Sequence, residues 1–329
     1  MKTTQRNLVL HLKEFLSQEN MIVSPFMITT NCLFLDQITS GTTRTQLSKK
    51  LGLYKIDLDK AQKQLNKITS TKGVDIKSFI NVIPKIKIPN KTHFRPIIVK
   101  DRKKIEKKYN LKLKLRKNDR LIINSLLSLK LKWKDSFESY KGHFHITEDK
   151  SISTTLLHTI KTFSISESSV NQILKIPYKE IDLSLIIYLP IKGKIPLLTK
   201  GCLEAKFIKK KVKVNLPEFN ISNKINIQAF LKEIGITYLF DNHANFSKID
   251  KEDLIYLSKF KQQNKIEVDK KGTKAYSETT TVGRTKSKVS RIVPITFKAN
   301  KPFYFTIVDG KNNILLFGRL VDPTKGGKK

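Results

Sequence analysis

The chain has 329 residues, 39% of them hydrophobic, and a formal net charge of +36 from 64 basic against 28 acidic residues. That apolar content can fill one large core or two smaller ones, while the charge points to anionic partners or surfaces and leaves the fold open. Two cysteines, Cys32 and Cys202, exclude a disulfide scaffold, no apolar run reaches the roughly 18 residues of a membrane span, and the charged N-terminus without a small-residue cleavage site is no secretory signal.

Leu8, Leu12, Phe15 and Leu16 recur at helical spacing and predict an amphipathic helix over about 5 to 18. Ser24 is a good N-cap and Pro25 suits the first helical position of a second helix. Its apolar residues are too dense for a surface helix, so it belongs in the core, with Cys32 a buried free thiol. Gly41 ends it, and Thr43 caps a third helix that stops at Gly52. Between Arg95 and Arg120 basic residues crowd together, among them Lys103, Lys104, Lys107, Lys108, Lys112 and Lys114. The alternation KLKLRK over 112–117 predicts a strand with Lys112, Lys114 and Arg116 on one face. His143 and His145 flank Phe144 as a strand pair would, but with no third ligand nearby they read as ordinary strand histidines and not as a metal site.

Further on, LSLIIYLP is a continuous apolar run suited to a strand buried on both faces. Val212, Val214 and Leu216 alternate as in a half-buried strand. FYFTIV and ILLFGRL flank the turn Asp309-Gly310-Lys311-Asn312-Asn313 and predict a hairpin. Helices gather early and strands late, which indicates an α+β fold. Asn90-Lys91-Thr92, Asn220-Ile221-Ser222 and Asn245-Phe246-Ser247 are glycosylation sequons, meaningful only in a secreted chain. There is no Gly-rich phosphate loop and no nucleophile–base constellation, so the chain reads as a non-enzyme that needs no cofactor.

The stretch from Glu267 to Pro302 differs from everything around it. Thr273, Ala275, Ser277, Thr279 and Thr281 are small, while Lys274, Tyr276 and Glu278 between them are large. A strand of this pattern carries only small residues on one face. A long loop with a strand's alternation is a segment able to join a sheet, and the function is expected there.

NMIVSPFMITTNCLFLDQITSGTTRTQLSKKLGL (20–53), IPYKEIDLSLIIYLP (176–190), VNLPEFNI (214–221), LKEIGITYLFDNHANFSKI (231–249) and KPFYFTIVDGKNNILLFGRLVDP (301–323) together resemble the serpins, in order and over nearly the whole chain. The resemblance implies a single domain over 1–329 with large mixed β-sheets and an exposed reactive-centre loop at about 270 to 295. It also implies a suicide-substrate inhibitor, a monomer that forms a covalent complex with a serine protease. Its cleaved loop inserts into the main sheet and traps the acyl-enzyme.

On that pattern Gly272 is the loop hinge, and Thr273, Ala275, Ser277 and Thr279 face inward. The spacing from Gly272 sets the reactive bond at Lys286–Ser287, with Arg284, Lys288 and Arg291 close by. Counting back from Pro302 allows Lys288 equally. All the candidates are basic, which suits a trypsin-like target. The alternatives are a non-inhibitory serpin used for binding, and a polyanion binder. Lys103, Lys104, Lys107, Lys108, Lys112 and Lys114 are the candidate site for a sulfated polysaccharide, against a merely solvated basic surface. Secretion is the expected location, with a cytoplasmic one the alternative.

The chain also departs from the pattern. It is short between Gly52 and Asn124, so the helix that lies across the front of the main sheet is expected to be missing or trimmed. IKSFINVIPKIKIPN (76–90) resembles a main-sheet strand and HFRPIIVKD the helix that follows. Ser24, Asn124, Trp133 and Gln262 map to the region where the sheet opens, with Trp133 one residue farther from Asn124 than usual, a hint of a bulge. Gln262 stands where a histidine is usual and Met27 where a serine is.

Overall fold

A computed structural model describes residues 1–15, 19–84, 86–191, 198–250, 255–273 and 293–326. The chain begins with α1 (Lys2–Phe15), β1 (Met21–Val23), α2 (Pro25–Ile38), α3 (Gly41–Leu51) and α4 (Leu58–Thr69). Then come β2 (Val74–Val82), β3 (Ile97–Ile98), α5 (Arg102–Tyr109), β4 (Leu121–Leu129), β5 (Leu131–Lys132), β6 (Glu138–His145), β7 (Ser151–Glu167), β8 (Asn171–Pro177) and β9 (Leu183–Pro190). The remainder is α6 (Lys200–Leu203), β10 (Ile208–Pro217), β11 (Phe219–Asn226), α7 (Ile227–Glu233), β12 (Leu257–Val268), β13 (Gly272–Thr273), β14 (Ile295–Lys298), β15 (Phe303–Asp309) and β16 (Ile314–Leu320).

Nine strands form one sheet in the order β1-β16-β15-β9-β8-β7-β10-β14, with β6 also on β7. A second sheet runs β11-β12-β4-β2-β3, and β13 pairs with β5 in a two-stranded sheet among the described residues. Helix α2 lies buried between the two large sheets. Its Ser24 cap holds the Met27 N–H (3.2 Å) and donates to Leu315 O of β16 (2.6 Å), while Asn31 donates to Ser125 of β4 (2.9 Å). The dense apolar run thus has apolar surface to meet on every side, as its composition requires. Strand β9 is buried along its whole length, β10 alternates with Val212, Val214 and Leu216 inward, and β15–β16 is the expected hairpin.

Four expectations change. Gly41 opens α3 behind Ser40 and does not end α2, which stops at Ile38, and Thr43 lies inside α3 and not at its cap. Helix α1 starts at Lys2, before the apolar period begins, because Gln5 is itself buried and accepts the Ile314 N–H (2.8 Å). The segment HFRPIIVKD is not a helix. Pro96 disfavours a helical Arg95, Phe94 sits at φ +56°, and the β-branched Ile97 and Ile98 pair parallel to β2. KLKLRK is not a strand either. Leu111 and Leu113 are buried and Lys112 and Lys114 exposed, so the alternation holds, but among the described residues no neighbouring strand supplies a ladder. Glu106 accepts the N–H groups of Leu113 (2.7 Å) and Lys114 (3.1 Å), and Asn81 donates to Leu113 O (2.7 Å).

The front helix is trimmed to the eight-residue α5. It packs over β2 on the side away from α2. Ser78 faces α2 through Asn31, whereas Phe79 points the other way and meets the Tyr109 ring at 5.2 Å. Strands β4 and β5 part at Lys130, whose N–H goes to Gly73 O (2.7 Å).

Candidate functional site

The centre of the five-stranded sheet is its seam, where β12 runs parallel to β4 with Gln262 beside Ser125 and Lys261 beside Asn124. On the α2 side Gln262 is buried and grips the backbone of Ser24 twice. It accepts the Ser24 N–H at 2.5 Å and donates to Ser24 O at 3.2 Å. Across the seam, Ser125 is held by Asn31, which also donates to Met27 O (2.8 Å) and accepts from Ser78. Helix α2 therefore straps both seam strands from behind. Of the predicted opening residues, Ser24 and Gln262 come together. Asn124 points to the opposite face, buried, with Nδ2 unpartnered among the described residues.

Trp133 lies at the end of the seam where β12 gives way to the loop. Its ring stacks on Tyr178 (centroids 4.9 Å, planes 7° apart), and its Nε1 donates to Asp269 O (2.8 Å). Asp269 and Gly272 exchange both backbone hydrogen bonds (2.8 and 3.1 Å), which closes a tight turn. The chain then reverses, and Gly272 and Thr273 pair antiparallel with Lys132 and Leu131. Gly272 is at φ +134°, and a Cβ there would lie 2.1 Å from Leu131 O and 2.6 Å from Lys132 Cα. Only glycine fits this approach of backbone to backbone. The chain thus reverses at Gly272, and this turn is docked against Trp133.

Ala275, Ser277, Thr279, the bond Lys286–Ser287 and its neighbours Arg284, Lys288 and Arg291 lie outside the described residues. The chain is described again from Val293, and β14 then pairs parallel to β10, Ile295 beside Val212. The loop segment therefore leaves from one sheet and arrives at the other.

The six lysines of the basic cluster come together on and just after α5, and all are exposed. Glu106 organises them: one carboxylate oxygen takes the Arg102 guanidinium (2.7 Å), and the other takes the two amides beyond the helix. Lys77 and Lys108 both approach the Tyr109 ring, each 5.4 Å from its centroid. His143 and His145 are exposed on β6, and no group of three metal-capable side chains occurs among the described residues. No helix is long and apolar enough to cross a membrane among the described residues.

Sequence reasoning missed Glu106, Asn31 and Asp269. A polar Asn31 in an otherwise apolar buried helix was the one available signal, since such a group must find a partner.

A family model described as serpin (serine protease inhibitor) matches residues 97–323. Mouse Serpin B11 is 27% identical over 219 residues, covering 62% of this chain and 56% of that protein; the human Serpin B11 match covers 55% of its length, so the chain spans little more than half of these curated relatives. Mouse glia-derived nexin is 27% identical over 347 residues, with 91% of this chain and 86% of that protein covered. Among solved structures, the native thermophilic serpin tengpin superposes with a TM-score of 0.82 at 19% identity, over 97% of this chain and 93% of that one. Thyroxine-binding globulin in complex with thyroxine superposes at 0.78 and 16% identity, over 98% of both chains.

Proposed function

The chain belongs to the serpin family, and from that premise we propose that it is a one-use suicide inhibitor of a trypsin-like serine protease. The protease's serine attacks the carbonyl of Lys286, the amine of Ser287 leaves, and an acyl-enzyme forms. The freed loop stays tethered at Gly272 and enters the seam between β4 and β12. The protease is carried with it, and distortion of its active site stalls deacylation.

One observation carries this reading: the strands flanking the seam are parallel, and the chain beyond β12 has already turned antiparallel to both. An inserted strand replaces one parallel contact by two antiparallel ones, the slightly more stable pairing. The dimensions agree. Gly272 to Thr281 as a strand is about 34 Å long, close to the nine residues of β4. Ala275, Ser277 and Thr279 supply the small inward face, where an overlarge side chain would cost about 1–3 kcal/mol. Lysine at the reactive bond suits a specificity pocket that carries an aspartate.

The test is incubation with trypsin followed by a denaturing gel. A covalent band at the summed mass is expected, and it should disappear in Lys286→Ala. Clean cleavage without an adduct would sink the reading. The outcome then favoured is a non-inhibitory binding protein, a use of the same fold illustrated by the thyroxine complex.

A second reading rests on the α5 surface. Its six exposed lysines, ordered by Glu106, suit a sulfated polysaccharide, and a solved structure of native protease nexin-1 with heparin shares the fold (TM-score 0.80, 22% identity, 98% of both chains). Glu106→Ala, which releases the segment after α5, should lower the salt needed for elution from heparin. Unchanged elution would remove the polysaccharide from this site.

A further inference from the structure

A second basic surface lies on the nine-stranded sheet, well separated in sequence from α5. In β10 the valines Val212 and Val214 are buried, so Lys209, Lys211 and Lys213 project from the opposite face, and all three are exposed. The same face carries Ile160 of β7 beside Lys213, and His158 of β7 and Lys298 of β14 on either side of Asn215. None of the four lysines is paired with a carboxylate among the described residues. Tyr140 of β6 reaches across to this surface. Its hydroxyl donates to Asn215 Oδ1 (3.0 Å), and its ring meets that of His158 edge-on at 6.4 Å. Tyr140 and Ile160 are both more than two-fifths exposed. An immobilised aromatic ring and an exposed aliphatic beside unpaired cations have the make-up of an interface, where aromatic anchors carry much of the binding energy.

We propose that this face is a docking surface for an acidic patch on the protease held by the loop. The inference rests on the inhibitor reading for its occupant. Eight residues join Ser287 to Pro294 ahead of β14, so a protease gripping the reactive bond cannot lie more than about 30 Å from Ile295. Ile295 itself pairs with β10. The lysine row is therefore inside the leash. Its field acts on the encounter as well as on the complex: like-signed charge on one face raises association rates by tenfold or more with an oppositely charged partner, and salt removes the effect.

The probe is an anionic trypsin whose nucleophilic serine is replaced by alanine, so that binding is read without acylation. Lys209→Ser/Lys211→Ser/Lys213→Ser should bind it roughly tenfold more weakly than the wild type at low salt, and equally at about 1 M salt. Lys60→Ser/Lys63→Ser/Lys67→Ser on α4 removes the same charge elsewhere and should bind as the wild type does. Equal losses in the two triple variants would show general attraction to a cationic protein and overturn the docking face. So would unchanged binding in the β10 variant. A β10 variant that keeps its trypsin affinity but leaves heparin earlier would assign the face to a polysaccharide instead, which also overturns the proposal. Active trypsin and a denaturing gel form the separate arm. Loss of the adduct there, with lysine-dependent binding retained, counts against the inhibitor reading alone.

Discussion

Gln262→Ala tests the strap across the seam. Gln262 and Ser24 are both essentially inaccessible, so water cannot replace the lost amide. The substitution leaves the Ser24 N–H buried without its 2.5 Å acceptor and removes the 3.2 Å bond to Ser24 O, which retains the Ile28 N–H. An orphaned buried donor costs about 1–3 kcal/mol and the second bond adds about 1 kcal/mol. Together with the vacated stem volume, a loss of roughly 4 kcal/mol is expected. At about 2.1 cal/mol/K per residue the unfolding entropy of this chain is near 0.7 kcal/mol/K, so the melting temperature should fall by about 6 °C at fixed scan rate. Gln262→Glu sharpens the test. An ionised glutamate could still accept from Ser24 N, but its second oxygen would face Ser24 O. Protonated, it restores both bonds. Its folded-state pKa is therefore raised, and the stability it contributes is present at low pH and lost as pH rises through the folded value. That variant should melt higher near pH 5 than at pH 8. A fall of less than about 1 °C in Gln262→Ala, well inside the 6 °C worked from bond energies, would refute the strap, as would a flat pH profile in Gln262→Glu.

Gly272→Ala should free β13 from β5, since the new Cβ meets backbone rather than a movable side chain, and the strain of about 1–3 kcal/mol should appear as a lower melting temperature. The single tryptophan, Trp133, sits against this junction, so its emission should shift when the loop is cut by trypsin; an unchanged spectrum alongside complete cleavage would mean the hinge does not move. Burial raises the Asp119 carboxyl, but Lys259 and the Arg116 N–H outweigh it and hold it below its ordinary 3.8. Its stabilising effect is present above that value and disappears as pH falls through the lowered one, so Asp119→Asn should flatten the acid limb of the stability curve. Burial, helped by Asp36, pushes the Cys32 thiol up, so at pH 8 the native protein should leave this thiol unmodified by a disulfide reagent and titrate one more thiol once unfolded.

The legible parts of the fold were those fixed by local chemistry. The Ser24–Pro25 start of α2 and the turn between β15 and β16 need only the residues beside them. KLKLRK shows where local pattern stops. Period two settles which side chains are buried, but a strand also requires a neighbour for its backbone, and here Glu106 and the distant Asn81 take that place. HFRPIIVKD was misassigned because resemblance carried a helix across Pro96 against the residues' own preference. The resemblance set Gln262 and Ser24 in one region, but their hydrogen bonds were invisible for another reason: the two are 238 positions apart, and neither residue type announces a partner. Gly272 stands out in the sequence alone, whereas the lock of its turn on Trp133 through the Asp269 carbonyl required the structure.

The trimmed front changes where resistance to seam opening resides. Helix α5 sits over β2 through Phe79, so it does not bridge β4 to β12. Among the described residues three ties cross the seam. The Trp133 indole joins the two sides at the loop end by donating to Asp269 O (2.8 Å). Helix α2 joins them from behind at mid-strand through Gln262 and Asn31. The segment before β4 joins them at the far end, where Asp119 pairs with Lys259, Arg120 N–H donates to Ser258 (2.8 Å) and Tyr256 donates to Asn118 O (2.6 Å). A strand entering from Gly272 would meet these in order: the Trp133 junction first, the α2 strap next, the Asp119 clamp last. On the inhibitor reading, Gln262→Ala should therefore speed spontaneous loop insertion during mild warming, because it loosens a tie crossed early. Asp119→Asn should leave the onset of insertion unchanged and alter only its completion, since an entering strand reaches that clamp after most of its hydrogen bonds are made.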